Sequence, residues 1–308
     1  MAYAFIFPGQ GSQSVGMMNG FAELSIAKDT FLEASDVLGK DFWSMVTTGT
    51  EETLAQTVNT QPLMLTAGIA AYRTWLHLGG THPTALAGHS LGELTALVAG
   101  GALSFNDALI VTETRAKAMQ EAVPVGVGAM AAILGVDDTV VEEICTLAKE
   151  QDVLEPANFN SPGQVVIAGH RSAIERAVKM AKEKGAKRAV ILAMSVPSHC
   201  SLLTEASEKL SHILDTITVS VPTIPLYHNV HAGPSHSPQE IKTALITQMY
   251  SPVRWVSCIQ AMANLGITTF YECGPGKVLA PLVKRIDSQL TGIALNDCNV
   301  MKNAIEGN

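Results

Sequence analysis

A pentapeptide, Gly88-His89-Ser90-Leu91-Gly92, stands between a short apolar run, Ala85–Ala87, and a helix-period segment, Leu91–Gly100. Strand, sharp turn and helix form the context in which a G-x-S-x-G sequence becomes a nucleophile elbow. Glycine on both flanks lets the chain pass through a turn too crowded for side chains, while Ser90 projects from its apex. The helix that follows aims its free N–H groups and positive dipole end at the same point.

The surrounding sequence agrees with that frame. Short apolar runs bounded by Gly and Pro alternate with helix-period segments, as in an α/β protein. Tyr3–Phe7 reads as a strand with Gly9-Gln10-Gly11-Ser12-Gln13 as the loop after it, Gln61–Leu78 as a helix opened by Pro62, and Asn106–Glu121 as another helix. From Gly126 to Ala193 the order is strand Ala129–Leu134, helix Thr139–Glu150, strands Val153–Phe159 and Val165–Ala168, helix Ser172–Lys184 and strand Ala189–Ala193. That βαββαβ order is the ferredoxin-like split unit. Beyond it come helices Pro238–Met249 and Val256–Leu265, strand Thr268–Glu272 and a last helix from Lys277. The expected fold is α/β, with a hydrolase-like larger subdomain on a mostly parallel sheet, residues 1–124 and 196–308. A ferredoxin-like small subdomain, residues 125–195, is inserted into it.

Composition excludes several classes. With 47% hydrophobic and 16% charged residues the 308-residue chain is too apolar for intrinsic disorder. A net charge of −8, with no basic run longer than two, lacks the field that a nucleic acid partner requires. The start has no basic n-region and its apolar stretch stops at Pro8, so no export signal is expected. No stretch approaches the roughly 20 apolar residues of a bilayer span. Five widely spaced cysteines, without a CxxC pair, fit neither a disulfide framework nor a zinc site, and a reducing cytoplasm is the expected location.

A serine hydroxyl needs a general base within hydrogen-bond reach, usually histidine, and nine histidines compete here. His89 adjoins the serine and should point elsewhere, toward packing or a neighbouring strand. His199, in Val196-Pro197-Ser198-His199-Cys200, lies where the chain leaves the inserted unit and follows the serine in the order seen in hydrolase-like folds. His228, His231 and His236 lie in a Pro-rich stretch without helical register, so they are expected to be solvated and not to bind metal. Cys200 is expected to be a packed thiol. Gly274-Pro275-Gly276-Lys277 is followed by Val278 where a phosphate loop needs Ser or Thr, and it reads as a turn. No acidic residue between Ser90 and His199 stands out as a third triad member.

Taken in order, several segments spell a family. They are Gly9-Gln10-Gly11-Ser12-Gln13, Gly88-His89-Ser90-Leu91-Gly92-Glu93, Thr114-Arg115-Ala116-Lys117-Ala118-Met119-Gln120, Asn158-Phe159-Asn160-Ser161-Pro162-Gly163-Gln164, Val196-Pro197-Ser198-His199, Gln248 ahead of Pro252-Val253-Arg254-Trp255, and Gly274-Pro275-Gly276. The chain resembles the malonyl-CoA:acyl carrier protein transacylases nearly end to end. The resemblance implies a Ser90–His199 dyad whose histidine is held by an oxygen near Gln248, an oxyanion hole from the N–H groups of Gln10 and Leu91, and Arg115 on the malonyl carboxylate. It also implies ping-pong transfer from malonyl-CoA to the phosphopantetheine thiol of acyl carrier protein, in fatty acid biosynthesis, with no cofactor beyond the coenzyme A thioester substrate. Docking of an acidic carrier to an acidic chain needs a local basic patch, with Lys182, Lys184, Lys187 and Arg188, or Lys277, Lys284 and Arg285, as candidates. The expected state is a monomer with neither nucleic acid nor membrane partners. The rival readings are a serine esterase or thioesterase with the same elbow, a malonyl transferase of a polyketide or malonate-degrading system, and a scaffold that binds carrier without turnover.

Overall fold

The computed structural model describes residues 2–193 and 196–307. Its strands are β1 (Tyr3–Phe7), β2 (Ala85–Gly88), β3 (Gly128–Leu134), β4 (Leu154–Ser161), β5 (Gln164–His170), β6 (Arg188–Ile191), β7 (Leu226–Tyr227), β8 (Thr269–Cys273) and β9 (Thr291–Leu295). They form two sheets, one of order β7-β2-β1-β8-β9 and one of order β4-β5-β3-β6.

The first sheet is parallel throughout, and all five residues of its central β1 are buried. A parallel strand covered on both faces carries an unbroken apolar run, which is why Tyr3–Phe7 shows no polar alternation. Alternate residues nevertheless go to opposite layers. Tyr3, Phe5 and Phe7 pack with Leu65, Trp75 and Tyr271 on one face, while Ala4 and Ile6 pack with Val253, Ile259 and Phe270 on the other. Phe7 pairs with Gly88, so the carboxyl ends of β1 and β2 finish side by side. A crevice beyond such strand ends is where open α/β sheets bind ligands.

The second sheet is antiparallel, with β3 between β5 and β6 and β4 on the edge beside β5, the strand order of a ferredoxin-like unit. Its helices, Asp138–Ala148 and Arg171–Glu183, cover one face through Val141, Ile144, Ile174 and Ala177. The opposite face presents Met130, Val166 and Ala168 toward Cys200. Edge strand β4 is bonded to the larger body at Val253, which donates to the Ala157 carbonyl and accepts from the Phe159 N–H, each at 2.9 Å.

Two expectations are corrected. The helix expected to open at Pro62 runs from Thr57 to His77 with Pro62 inside it. Asn59 and Thr60 both donate to the Gln56 carbonyl, so the first turn closes ahead of the proline, which then falls early enough to be tolerated. The single last helix from Lys277 is instead a helix Ala280–Ile286, strand β9 and a helix Cys298–Glu306. The Glu272 carboxylate gathers the N–H groups of Val278, Leu279 and Ala280 and so delays the helix start, and Asp287 follows its end. The expected boundary at Ser195 lies outside the described residues. Among the described residues no helix is long and apolar enough to cross a membrane.

Candidate active site

The elbow forms because no side chain fits at its two glycines. A Cβ at Gly88 would overlap the Gly92 carbonyl, and one at Gly92 would overlap the carbonyl of Phe7. Between them Ser90 adopts φ 53°, a left-handed conformation that a serine holds only when its surroundings enforce it. The Asn229 side chain does so, accepting from the Ser90 N–H at 2.7 Å and donating to the Gly88 carbonyl at 2.7 Å.

Ser90 Oγ lies 2.7 Å from His199 Nε2. The other ring nitrogen, Nδ1, is 2.7 Å from the Gln248 backbone carbonyl. A carbonyl only accepts, so Nδ1 carries the proton and Nε2 presents its lone pair to the serine hydroxyl. His199 is itself at φ 64°, with its N–H donating to the Met249 carbonyl. Burial, and then the nearby Arg115 guanidinium, push the imidazole down to about 3, which keeps it neutral and able to accept a proton. The backbone oxygen of Gln248 stands where a triad would place a carboxylate.

Arg115, in helix Phe105–Ala122, is only 3% exposed. It donates to Gln61 Oε1 at 2.7 Å, to Gln248 Oε1 at 3.1 Å and to Ser90 Oγ at 3.2 Å. All three acceptors are neutral, and among the described residues no carboxylate touches the guanidinium. Burial lowers its pKa to about 10, so it stays charged, with Glu93 the acidic group that opposes the shift. A buried cation without an ionic partner is expensive and is ready for an anionic ligand.

These groups open into a cavity of about 390 Å³. Gln10, Ser90, Leu91 and Arg115 line its inner end, Met130 and Val166 of the antiparallel sheet form one wall, and Leu279 and Leu282 form another. The N–H groups of Gln10 and Leu91 have no acceptor among the described residues. At the mouth, Arg285 donates to Gln164 Oε1 at 2.9 Å, spanning the two walls.

The structure thus brings Ser90, His199, Arg115, Gln248, Gln10 and Leu91 to one place. His89 turns away and meets Asn160 Oδ1 at 2.8 Å, and Cys200 is a buried thiol, as expected. His228 contradicts the expectation of a solvated residue. It is 0% exposed, with Nδ1 2.7 Å from Glu93 Oε1, because the loop after β7 folds over the elbow helix. No group of three or more metal-binding side chains occurs among the described residues. Sequence reasoning missed Gln61, Glu93 and Asn229. Polar residues within apolar surroundings were the available signal, but only their partners, far away in sequence, show what they do.

Comparison with known proteins places this geometry. A family model described as an acyl transferase domain matches residues 4–296. The chain is 50% identical over 305 residues to the malonyl CoA-acyl carrier protein transacylase of Escherichia coli K12, covering 99% of both chains, and 43% identical to that of Bacillus subtilis 168, covering 98% of this chain and 96% of the other. Among solved structures it superposes on an acyl-carrier-protein S-malonyltransferase from Burkholderia pseudomallei 1710b with a TM-score of 0.98, at 52% identity, over 99% of this chain and 100% of the other. A malonyl-transacylase solved in complex with a type II polyketide acyl-carrier protein gives a TM-score of 0.99 at 45% identity, over the whole of both chains. On this evidence the chain belongs to the malonyl-CoA:acyl carrier protein transacylase family of acyl transferase domains.

Proposed function

We propose that this acyltransferase moves a malonyl group from malonyl-CoA to the phosphopantetheine thiol of acyl carrier protein through an ester on Ser90. The observation that supports it most is the meeting, on one serine oxygen, of a neutral buried imidazole at 2.7 Å and a buried guanidinium at 3.2 Å. Ser90 Oγ attacks the thioester carbonyl while His199 Nε2 takes its proton. The Gln10 and Leu91 N–H groups receive the oxyanion. As the intermediate collapses, the C–S bond breaks and the departing coenzyme A sulfur takes the proton from His199. The carrier thiol then gives its proton to His199 and attacks the ester carbonyl, and Ser90 recovers its proton as the C–O bond breaks.

Arg115 pairs with the free malonyl carboxylate through both arms of its fork, a geometry that lysine lacks. The Gln248 carbonyl holds His199 in the productive tautomer. Residues 1–124 and 196–308 carry this chemistry, and the inserted unit, 125–195, supplies the cavity wall. The reading places the protein in the cytoplasm, supported by five buried thiols without disulfides. It places the carrier in fatty acid biosynthesis and requires no cofactor. Lys182, Lys184, Lys187, Arg188, Lys277, Lys284 and Arg285 are all exposed, with Lys184 paired to Glu143 and Arg285 bonded to Gln164, and they are the candidates for meeting an acidic carrier. Incubation with malonyl-CoA, with and without acyl carrier protein, tests the reading. Malonyl-carrier product formed faster than free malonate supports it, and malonate release that the carrier does not divert overturns it.

A further inference from the structure

Glu93 is a carboxylate with 0% exposure that the reaction above does not use. One oxygen, Oε2, accepts from the Asn229 N–H at 2.9 Å and from Gln248 Nε2 at 2.9 Å, and the other, Oε1, meets His228 Nδ1 at 2.7 Å. Gln248 turns its other amide atom, Oε1, to Arg115 at 3.1 Å. Carboxylate, amide and guanidinium therefore form one hydrogen-bonded line, in which the amide donates to the anion at one end and accepts from the cation at the other. Gln248 Nε2 also reaches the Ser90 carbonyl at 3.1 Å, so the line crosses the elbow itself.

We infer that Glu93 is a positioning residue that sets how tightly Arg115 grips a substrate carboxylate, acting through the Gln248 amide as an internal counter-anion. The inference rests on the reading of Arg115 as the carboxylate ligand. A guanidinium with no opposing charge in a buried site would hold a monoanionic acyl group too firmly in the ground state. Uniform tightening of that kind lowers KM without helping turnover. A carboxylate one amide away weakens the grip while the guanidinium stays in place. Glu93 touches no reacting atom, and the cavity wall does not include it.

Glu93→Gln is the discriminating variant because it keeps the shape and removes the charge. Its amide oxygen can still accept from Asn229 and Gln248, while its NH₂ faces His228 Nδ1, whose ring takes the other tautomer. The readout is the ratio of KM for acetyl-CoA to KM for malonyl-CoA, measured on the full chain, with Glu93→Asp as the charge-retaining control. The ratio should rise about threefold to tenfold in Glu93→Gln, the scale of losing one charge across a short, partly screened distance, and should return toward the starting value in Glu93→Asp. A ratio unchanged in Glu93→Gln, or a malonyl-CoA KM that rises in step with the acetyl-CoA value, overturns the inference and leaves Glu93 a scaffold residue. Should Glu93→Gln fail to fold, Glu93→Gln with His228→Leu removes the imidazole, and with it the need for a change of tautomer beside the new amide, and is read by the same ratio. Arg115→Ala in the same assay separates the two ideas. Loss of malonyl preference there, with no change in Glu93→Gln, sinks the counter-anion alone, whereas unchanged preference in Arg115→Ala sinks the reading of Arg115 on which it rests.

Discussion

Replacing Arg115 by alanine should invert a preference. On the proposed reading, the malonyl carboxylate completes an ion pair in the Michaelis complex with a side chain that is 3% exposed. Breaking a buried pair by removing one partner costs about 3–5 kcal/mol. At about 1.4 kcal/mol per decade, that is a loss of about a hundredfold to several thousandfold in kcat/KM for malonyl-CoA. Acetyl-CoA brings no carboxylate, so in the intact enzyme it leaves the guanidinium buried and unpaired, and truncation removes that penalty. Arg115 also donates to Ser90 Oγ, and the loss of this bond slows both substrates alike. The ratio of the two kcat/KM values cancels the shared part and should shift by at least about a hundredfold toward acetyl-CoA. Arg115→Lys should fall between, because it keeps a charge and gives up the two-armed geometry. The assay is initial-rate transfer to acyl carrier protein from each donor. Equal loss for both donors would refute the reasoning and reduce Arg115 to support for the serine.

Other outcomes follow from the same contacts. His199 is held near 3 in the folded chain against 6.5 for an ordinary histidine, so the unfolded chain binds a proton that the folded one refuses throughout that window. Stability should therefore fall as pH drops from 6.5 toward 3, less steeply in His199→Gln, as read by urea unfolding at each pH. Single-turnover acylation should in turn show no acid limb near pH 6.5, and a limb there would contradict a buried neutral base. Gly92→Ala puts a methyl group into the Phe7 carbonyl and should cost at least about 2 kcal/mol in urea unfolding. Glu272→Gln leaves the three N–H groups of Val278, Leu279 and Ala280 with one amide in place of a carboxylate. That should cost about 1–3 kcal/mol of stability and raise KM through the loosened Leu279–Leu282 wall, measured by thermal melts and initial rates.

What the sequence showed and what it hid have physical reasons. The elbow, the central strand and the βαββαβ unit were legible because each depends on local pattern: glycines where the chain turns, an unbroken apolar run where both faces are covered, and alternating periods where a small sheet meets its helices. Gln248 as the histidine's support came only from the resemblance, since a backbone carbonyl leaves no mark in a side-chain alphabet. Glu93 reads as an ordinary acid in the first turn of a helix, favoured by the dipole. Its burial is decided by His228 and Asn229, which lie 135 and 136 residues further along. The same distance hid His228, whose Pro-rich setting suggested solvent. Strand β9 was missed because it is a partly exposed edge strand, Thr291-Gly292-Ile293-Ala294-Leu295, with only Leu295 buried, too weak a pattern to break the helical reading around it.

The claim on which the account stands is that the acyl group rests on one oxygen between its two thiols. Intact-protein mass after a brief exposure to malonyl-CoA, followed by peptide mapping, addresses it directly. One malonyl adduct on the peptide carrying Ser90, discharged by acyl carrier protein and absent from Ser90→Ala, is the predicted result. Turnover without that adduct, or the adduct on another residue, would contradict it.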